Sequence, residues 1–331
     1  MPQRVAVTTG VVKKNPTILI PPSNFHLEPH PSNKCYECLS IYYPHHPQQP
    51  SSKKILIVVL DRPKKRNAIN SKLWLEIGSL FRSIGSSVEF CSIRCVLLIG
   101  NGVSFCTGID LEMLGGTNDE ITDDTARRYL SNRPKIIKMQ ESFTALEDCP
   151  IPIVAAIHGH CIGAGVDLIC CCDIRICSPT TNFAVKEVKL GLAADMGTLQ
   201  RLPKIVGYGS YVKELCLTGD NFSAMDATKI GFVSRFSQSD VTLMDEALQI
   251  CEKVVSLSPI AVSGTKMSLN YSRDHNVKEG LEHIASHNAV TLMTEDLVSS
   301  FLKQSSTGKH KNGSSSDDDF CFKDLLPHAK L

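Results

Sequence analysis

Three carboxylic acids, Asp167, Glu187 and Asp195, follow a glycine-containing turn, Gly163-Ala164-Gly165. Carboxyl groups held in apolar surroundings can take a proton from one carbon and return it to another, because burial lifts a carboxyl pKa toward neutrality. The surroundings suit that chemistry. Glu187 lies on an otherwise apolar face of Phe183-Ala184-Val185-Lys186-Glu187-Val188, and Asp195 follows the small-residue loop Leu190-Gly191-Leu192-Ala193-Ala194. Proton removal beside a carbonyl leaves negative charge on its oxygen, which needs donors. Gly163–Gly165 and Cys106-Thr107-Gly108-Ile109-Asp110 are both glycine-containing turns between a buried strand and a helix. Each can aim one backbone N–H at a common oxygen. Every acid also has a plainer reading: Asp167 as a first-turn partner of the helix dipole, Asp195 as a helix N-cap, Glu187 as a strand-end residue paired to Lys186 or Lys189. The set carries more weight than any member.

Positioning these groups requires recurrent strand–turn–helix units, which argue an α/β fold. Ile55–Leu60, Arg94–Ile99 and Ile151–Ile157 are apolar runs of buried-strand length, and Asp173–Cys177 reads as a fourth strand. Helical spacing marks Leu73–Ile84, Tyr129–Leu146, the Gly163 helix through Cys172, Met196–Ile205 interrupted by Pro203, 211–217, 242–257 and Val277–Leu302. Phe183–Val188 alternates and reads as extended, with Phe183, Val185 and Glu187 on one side. The expected organisation is an extension over 1–52 without clear periodicity, a catalytic core over 53–245, a helical region over 246–304 and a polar tail over 305–331 with an Asp317–Asp319 run.

A chain of 331 residues that is 42% hydrophobic can bury a large core, and its formal charge of +1 offers no electrostatic basis for binding nucleic acid or an anionic membrane. No apolar run reaches the length of a membrane span. The 14 cysteines are scattered through apolar runs, which suits reduced, buried thiols. Cys35 and Cys38, near His45 and His46, form half of a zinc pattern that nothing completes, so no metal is expected. Ala329-Lys330-Leu331 resembles a peroxisomal address read by an import receptor. Arg4, Lys13 and Lys14 ahead of the first acid, Glu28, are compatible with a mitochondrial presequence.

Ile151–Asp173 resembles the signature of the enoyl-CoA hydratase/isomerase (crotonase) superfamily. Arg62-Pro63 with Arg66-Asn67-Ala68-Ile69, and Phe105–Leu111, match two further signatures in order, and the likeness spans roughly 53–303. Val185–Lys204 and Tyr271–His275 are similar to the branch that isomerises dienoyl-CoA thioesters. The resemblance implies a spiral of ββα units with a C-terminal helical trimerisation region, forming trimers or dimers of trimers. It implies oxyanion-hole amides from Ile109 and Ala164, and contact of Arg66 and Ala68 with the CoA moiety. It assigns the proton shuttle to Asp195 at C2 and Glu187 at C6, with Asp167 as a third acid supporting the dienolate. No cofactor is implied, since CoA arrives with the acyl thioester substrate. The expected role is auxiliary β-oxidation of unsaturated fatty acids. Thr107 and Ala164 depart from the Ala and Gly common in the family. Two other readings stand beside this one: an enoyl-CoA hydratase, which uses two acids rather than three, and a non-catalytic CoA-thioester- or RNA-binding relative on the same scaffold.

Overall fold

The computed structural model describes residues 26–45, 53–115, 124–307 and 322–325. The N-terminal basic residues, His46, the Asp317–Asp319 run and Ala329–Leu331 lie outside them. The strands are β1 (His26–Pro29), β2 (Leu39–His45), β3 (Ile55–Leu60), β4 (Cys95–Gly100), β5 (Ile153–Ile157), β6 (His160–Ile162), β7 (Ile174–Cys177), β8 (Asn182–Ala184), β9 (Asn221–Ser223) and β10 (Arg235–Phe236). The helices are α1 (Ser71–Ser86), α2 (Glu112–Gly115), α3 (Thr125–Asp148), α4 (Ala164–Cys170), α5 (Thr198–Val206), α6 (Ser210–Thr218), α7 (Ala224–Lys229), α8 (Leu243–Val255), α9 (Pro259–Ser272), α10 (Val277–Thr291) and α11 (Glu295–Thr307).

Seven strands form the main sheet in the order β1-β2-β3-β4-β5-β7-β10, and β6-β8-β9 form a second, smaller one. From β3 to β10 the main-sheet neighbours run parallel. The apolar runs of β3 and β4 are continuous because both faces of the sheet are covered. Leu56, Val58 and Leu60 pack on the side of α1, α3 and α4, whereas Ile55, Ile57 and Val59 pack on the side of α8. Successive strands leave the main sheet for the small one: β5 leads into β6, and β7 into β8. The bridge between Cys106 and Cys161 joins the segment after β4 to β6 in the same way. Repetition of this turn winds the chain into the expected α/β spiral, and all its crossings open on one side of the main sheet.

The sheet starts earlier than residue 53. The β1–β2 hairpin lies antiparallel on β3, so residues 26–45 belong to the folded core rather than to an extension. Leu39, Ile41 and Tyr42 are buried there, and Glu76 of α1 accepts the N–H groups of Glu37, Cys38 and Leu39 at 2.9, 2.9 and 3.1 Å. Every described cysteine is a free thiol, and all but Cys35 and Cys216 are buried. No helix among the described residues is long and apolar enough to cross a membrane.

The C-terminal region is three helices, not one long segment with a preceding loop. α9 was hidden in the sequence, and the Val277–Leu302 pattern breaks between α10 and α11. One buried cation fastens α9 to the core. Lys266 Nζ lies 2.8 Å from Asp173 Oδ2 and donates to Leu146 O and Ile151 O at 3.3 and 3.2 Å. A charge removed from water needs that complete set of partners.

Candidate active site

Two loops meet at the start of α4. The parallel bridge of Ile69 with Ile109 uses Ile69 N–H to Gly108 O at 2.8 Å and Asp110 N–H to Ile69 O at 2.9 Å. The Ile109 N–H takes no part in it. Ala164 opens α4, so its N–H lies within the first turn, where helical amides lack an intrahelical acceptor. Gly108 and the Ile162–Ala164 turn touch: a Cβ on Gly108 would lie 3.1 Å from Ile162 O and 3.8 Å from Ala164 N. Gly163 has φ +54 and ψ −122, outside even the left-handed helical well, a conformation that costs an L-residue roughly 1–3 kcal/mol. α4 has only seven residues, so the two N–H groups count for more than its dipole.

The other members of the Cys106–Asp110 turn build it rather than react. Cys106 is wholly buried, and burial pushes its thiol up to about 12. Thr107, one of the two departures, sends its hydroxyl to Arg66 O at 3.2 Å, and its N–H goes to the same oxygen at 3.2 Å. Asp110 pairs with Arg62 at 2.9 Å, and the guanidinium hydrogen bond holds its carboxyl below the ordinary range. This turn therefore rests on the basic segment before α1. There Arg66 is exposed, Ala68 is buried, and the side chain of Asn67 donates to Asn101 O and Ser104 O at 2.8 and 2.9 Å. Arg66 and Ala68 thus lie beside the Cys106–Asp110 turn, which bonds to Arg66 O through Thr107 and bridges Ile69 through Ile109.

The three acids lie near one another, with Glu187 against the Gly163 turn. Asp167 is buried, and its Oδ1 accepts the Thr198 N–H at 2.6 Å. Burial raises its pKa to about 6 against those Thr198 hydrogen bonds, with Asp195 adding to the rise. Glu187 is pushed up to about 7, first by burial, then by the charges of Asp167 and Asp195. Its Oε2 is buried with no hydrogen-bond partner among the described residues, and its Oε1 lies 3.0 Å from where a Cβ on Gly163 would stand. Asp195 is half-buried, its pKa raised by burial, and its main-chain oxygen accepts from Gln140 Nε2 at 2.6 Å. Asp195 lines a cavity of about 430 Å³ with Gln140, Arg201 and Arg273.

The plainer readings of the acids resolve differently. β8 ends at Ala184, and Glu187 opens a 3₁₀ turn over Glu187–Leu190, so the extended reading of Phe183–Val188 was wrong. Lys186, at φ −92 and ψ −6, breaks the strand. Glu187 pairs with neither neighbouring lysine: Lys189 goes to Asp220 at 2.9 Å. Asp195 is not the cap of α5, which begins after Gly197. Asp167 does serve an N–H, but that of Thr198 at the start of α5.

A family model described as Enoyl-CoA hydratase/isomerase matches residues 51–303. The chain belongs to the enoyl-CoA hydratase/isomerase family. It is 45% identical over 251 residues, 76% of each chain, to the mitochondrial Delta(3,5)-Delta(2,4)-dienoyl-CoA isomerase of Homo sapiens. It is 40% identical over 242 residues to the peroxisomal enzyme of that name from Arabidopsis thaliana, covering 72% of this chain and 86% of that one. An enoyl-CoA hydratase from Bacillus anthracis superposes with a TM-score of 0.71 at 26% identity, over 82% of this chain and 97% of its own. The spiral described above is thus the crotonase-like fold of this family.

Family motifs located the turns and the acids, and Val185–Lys204 contained Thr198 and Arg201 without their tasks. Gln140 and Glu147, which meet the Asp195 main chain and Arg201, come from α3, more than fifty residues earlier. Their only sequence signal is that polar groups stand on helical faces that otherwise bury apolar ones, as beside Phe143 and Leu146.

Proposed function

We propose that this enzyme isomerises 3,5-dienoyl-CoA to 2,4-dienoyl-CoA, an auxiliary step in the β-oxidation of unsaturated fatty acids. The observation that supports the reading is the proximity of Asp167, Glu187 and Asp195, with Glu187 Oε1 against Gly163 at the turn that carries the Ala164 N–H. The thioester oxygen accepts from those two N–H groups. Asp195 removes a proton from C2. The electron pair moves through the 3,5-diene, so that the oxygen bears the charge of an extended dienolate. Glu187, protonated in part near its pKa of about 7, delivers a proton to C6. C2 loses one hydrogen and C6 gains one; the double bonds shift to positions 2 and 4, and nothing is oxidised or reduced. Asp167, fixed by Thr198, keeps a third carboxyl near the dienolate without moving into it. Arg66 and Ala68 flank the CoA entrance. Each N–H donor is worth roughly 3–4 kcal/mol to such a charge.

The likeness to solved hydratases favours a second reading, addition of water to a 2-enoyl-CoA. Two acids suffice for that reaction, which leaves the raised carboxyl at position 195 without a task. A spectrophotometric assay separates the two. With a 3,5-dienoyl-CoA, the isomerase reading expects growth of the conjugated 2,4-dienoyl absorbance; with a 2-enoyl-CoA, faster loss of the enoyl band to a 3-hydroxyacyl product would overturn it.

We further infer assembly as a trimer or a dimer of trimers. Exposed apolar side chains crowd the C-terminal helices, among them Leu269, Leu281, Val290, Leu292, Met293, Val298 and Phe301. A contiguous apolar surface of that kind is typical of an interface. Light scattering that returns the mass of one chain would refute it. Relatives carry mitochondrial and peroxisomal names. Import into peroxisomes through Ala329-Lys330-Leu331 is the narrower proposal, and import that persists when those residues are removed would overturn it.

A further inference from the structure

We propose that Arg201 is a positioning residue for Asp195, acting through the Asp195–Thr198 turn and seated by Glu147. This rests on the isomerase reading above and deepens it by naming what sets the reach of the shuttle acid.

The turn from Asp195 to Thr198 carries two of the acids' fixed points at once. It bears the Asp195 side chain itself, and its Thr198 N–H holds Asp167 at 2.6 Å. The turn has little regular structure of its own; Ala194 and Met196 bury their side chains in the core, and two further contacts set the main chain between them and Thr198. Gln140 of α3 donates to Asp195 O at 2.6 Å. The Arg201 guanidinium points Nη1 end-on at Gly197: a Cβ there would fall 1.9 Å from Nη1 and 3.1 Å from Cζ. That spacing is possible only because residue 197 has no side chain.

Arg201 is itself held rigidly. Its Nε donates to Glu147 Oε2 at 2.7 Å, and its Nη2 donates to Thr144 Oγ1 at 3.1 Å. Both side chains of the pair are largely buried, at 14% and 10% exposure. Arg273 of α9 reaches the other oxygen of Glu147, and Asn270 Nδ2 donates to Glu147 O at 3.1 Å. The guanidinium therefore spans from α3 to the turn, while α9 pins the carboxylate behind it. A planar fork can fill this role, with Nε on Glu147, Nη2 on Thr144 and Nη1 against the turn; a single ammonium can keep only part of it. The ordinary alternative is that the pair only ties α3 to α5.

The test compares Arg201→Met and Arg201→Lys with the wild-type full-length enzyme. A displacement near 1 Å at a reacting group costs on the order of 10²-fold in rate. Arg201→Met is expected to lower kcat on a 3,5-dienoyl-CoA by about that factor with KM changed less than about threefold. Arg201→Lys, which keeps the charge facing Glu147, is expected to recover part of kcat. Hydrogen exchange supplies a readout that needs no turnover: amides of 195–200 should exchange faster in Arg201→Met, with β3, β4 and β5 unchanged. Unchanged exchange in 195–200 overturns the proposal, as does a global rise in exchange, which marks a simple tie between helices. Wild-type turnover with an equally active Arg201→Met overturns this inference alone. Absence of wild-type turnover refutes the isomerase reading instead, and the exchange result still decides what Arg201 does.

Discussion

The two halves of the site are held in opposite ways. The amide half, Ile109 and Ala164, is main chain stitched into parallel bridges and closed by glycines, so its geometry belongs to the fold. The two shuttle acids stand on irregular backbone, Glu187 on a 3₁₀ turn and Asp195 ahead of α5 under the Gln140 side chain, whereas Asp167 shares α4 with Ala164. A donor pair built from backbone survives most substitutions and serves any reaction that charges a thioester oxygen. Acids on turns can be added, removed or re-aimed without disturbing the sheet. The contrast explains how one scaffold can carry both hydration and double-bond transposition.

If the halves divide the labour this way, changes to the acids should damage turnover far more than binding. Asp195→Asn is expected to have the largest effect, about 10²–10⁴-fold in kcat, with KM nearly unchanged, because Asn keeps the size and cannot take the proton. Glu187→Gln should fall in the same range, since it can neither give nor receive a proton at C6. Asp167→Asn keeps an oxygen acceptor for Thr198 N–H, so a loss of about tenfold is expected. Steady-state kinetics on a 3,5-dienoyl-CoA ranks the three. An order with Asp167→Asn the worst would move the shuttle to a different pair.

Gly163 is where the halves touch, and Gly163→Ala should therefore hurt both. The backbone at φ +54 and ψ −122 costs the alanine roughly 1–3 kcal/mol, and the new methyl would press on Glu187 Oε1 at 3.0 Å. A lower Tm together with a fall in kcat of about tenfold or more is expected. A variant that loses stability but keeps kcat would show that the amide turn and Glu187 are independent.

The same contrast decides how much was legible before any coordinates. The parallel strands were, because a sheet covered on both faces needs unbroken apolar runs, and Ile55–Leu60 or Ile153–Ile157 can do little else. The glycine turns were legible from the approach they must permit. The β1–β2 hairpin was not: its His, Pro and Tyr residues blur the alternation, and the Glu76 carboxylate that collects its amides is remote in sequence. Glu187 was located by motif but misplaced locally, since Phe183, Val185 and Glu187 alternate in type while the backbone turns at Lys186. Arg201 and Gln140 act through partners more than fifty residues away, and pairing at that range leaves no local pattern. Helix α9 buries only Pro259, Gly264 and Lys266, so its sequence lacks the one-sided apolar stripe that marks a packed helix.

The smallest expected effect is the most direct check on how the acid half is stored. Burial and its neighbours raise Glu187 from an ordinary 4.5 to about 7 in the folded chain. A raised carboxyl pKa means that the folded state prefers the protonated form. Its contribution is therefore complete below pH 4.5 and is lost as the pH climbs through about 7, where the fold must carry a poorly solvated charge. Glutamine imitates the protonated acid at every pH. Glu187→Gln should match wild type in Tm near pH 4.5, exceed it progressively as the pH rises to 7 and keep a constant lead above that, by about 1 kcal/mol after allowance for the solvent that reaches this half-buried group, or about 2–4 °C. The variant would thus be more stable and nearly inactive, the trade expected of a group kept in strained surroundings for its chemistry. Asp167, raised to about 6, should make the same kind of contribution at lower pH, but Thr198 already satisfies one of its oxygens, so less is gained by Asp167→Asn. Parallel melting curves of the two variants between pH 4.5 and 8.5 would show it. Equal curves for Glu187→Gln and wild type at pH 8 would mean that Glu187 is solvated like a surface acid, and the site would then hold only two working carboxyls.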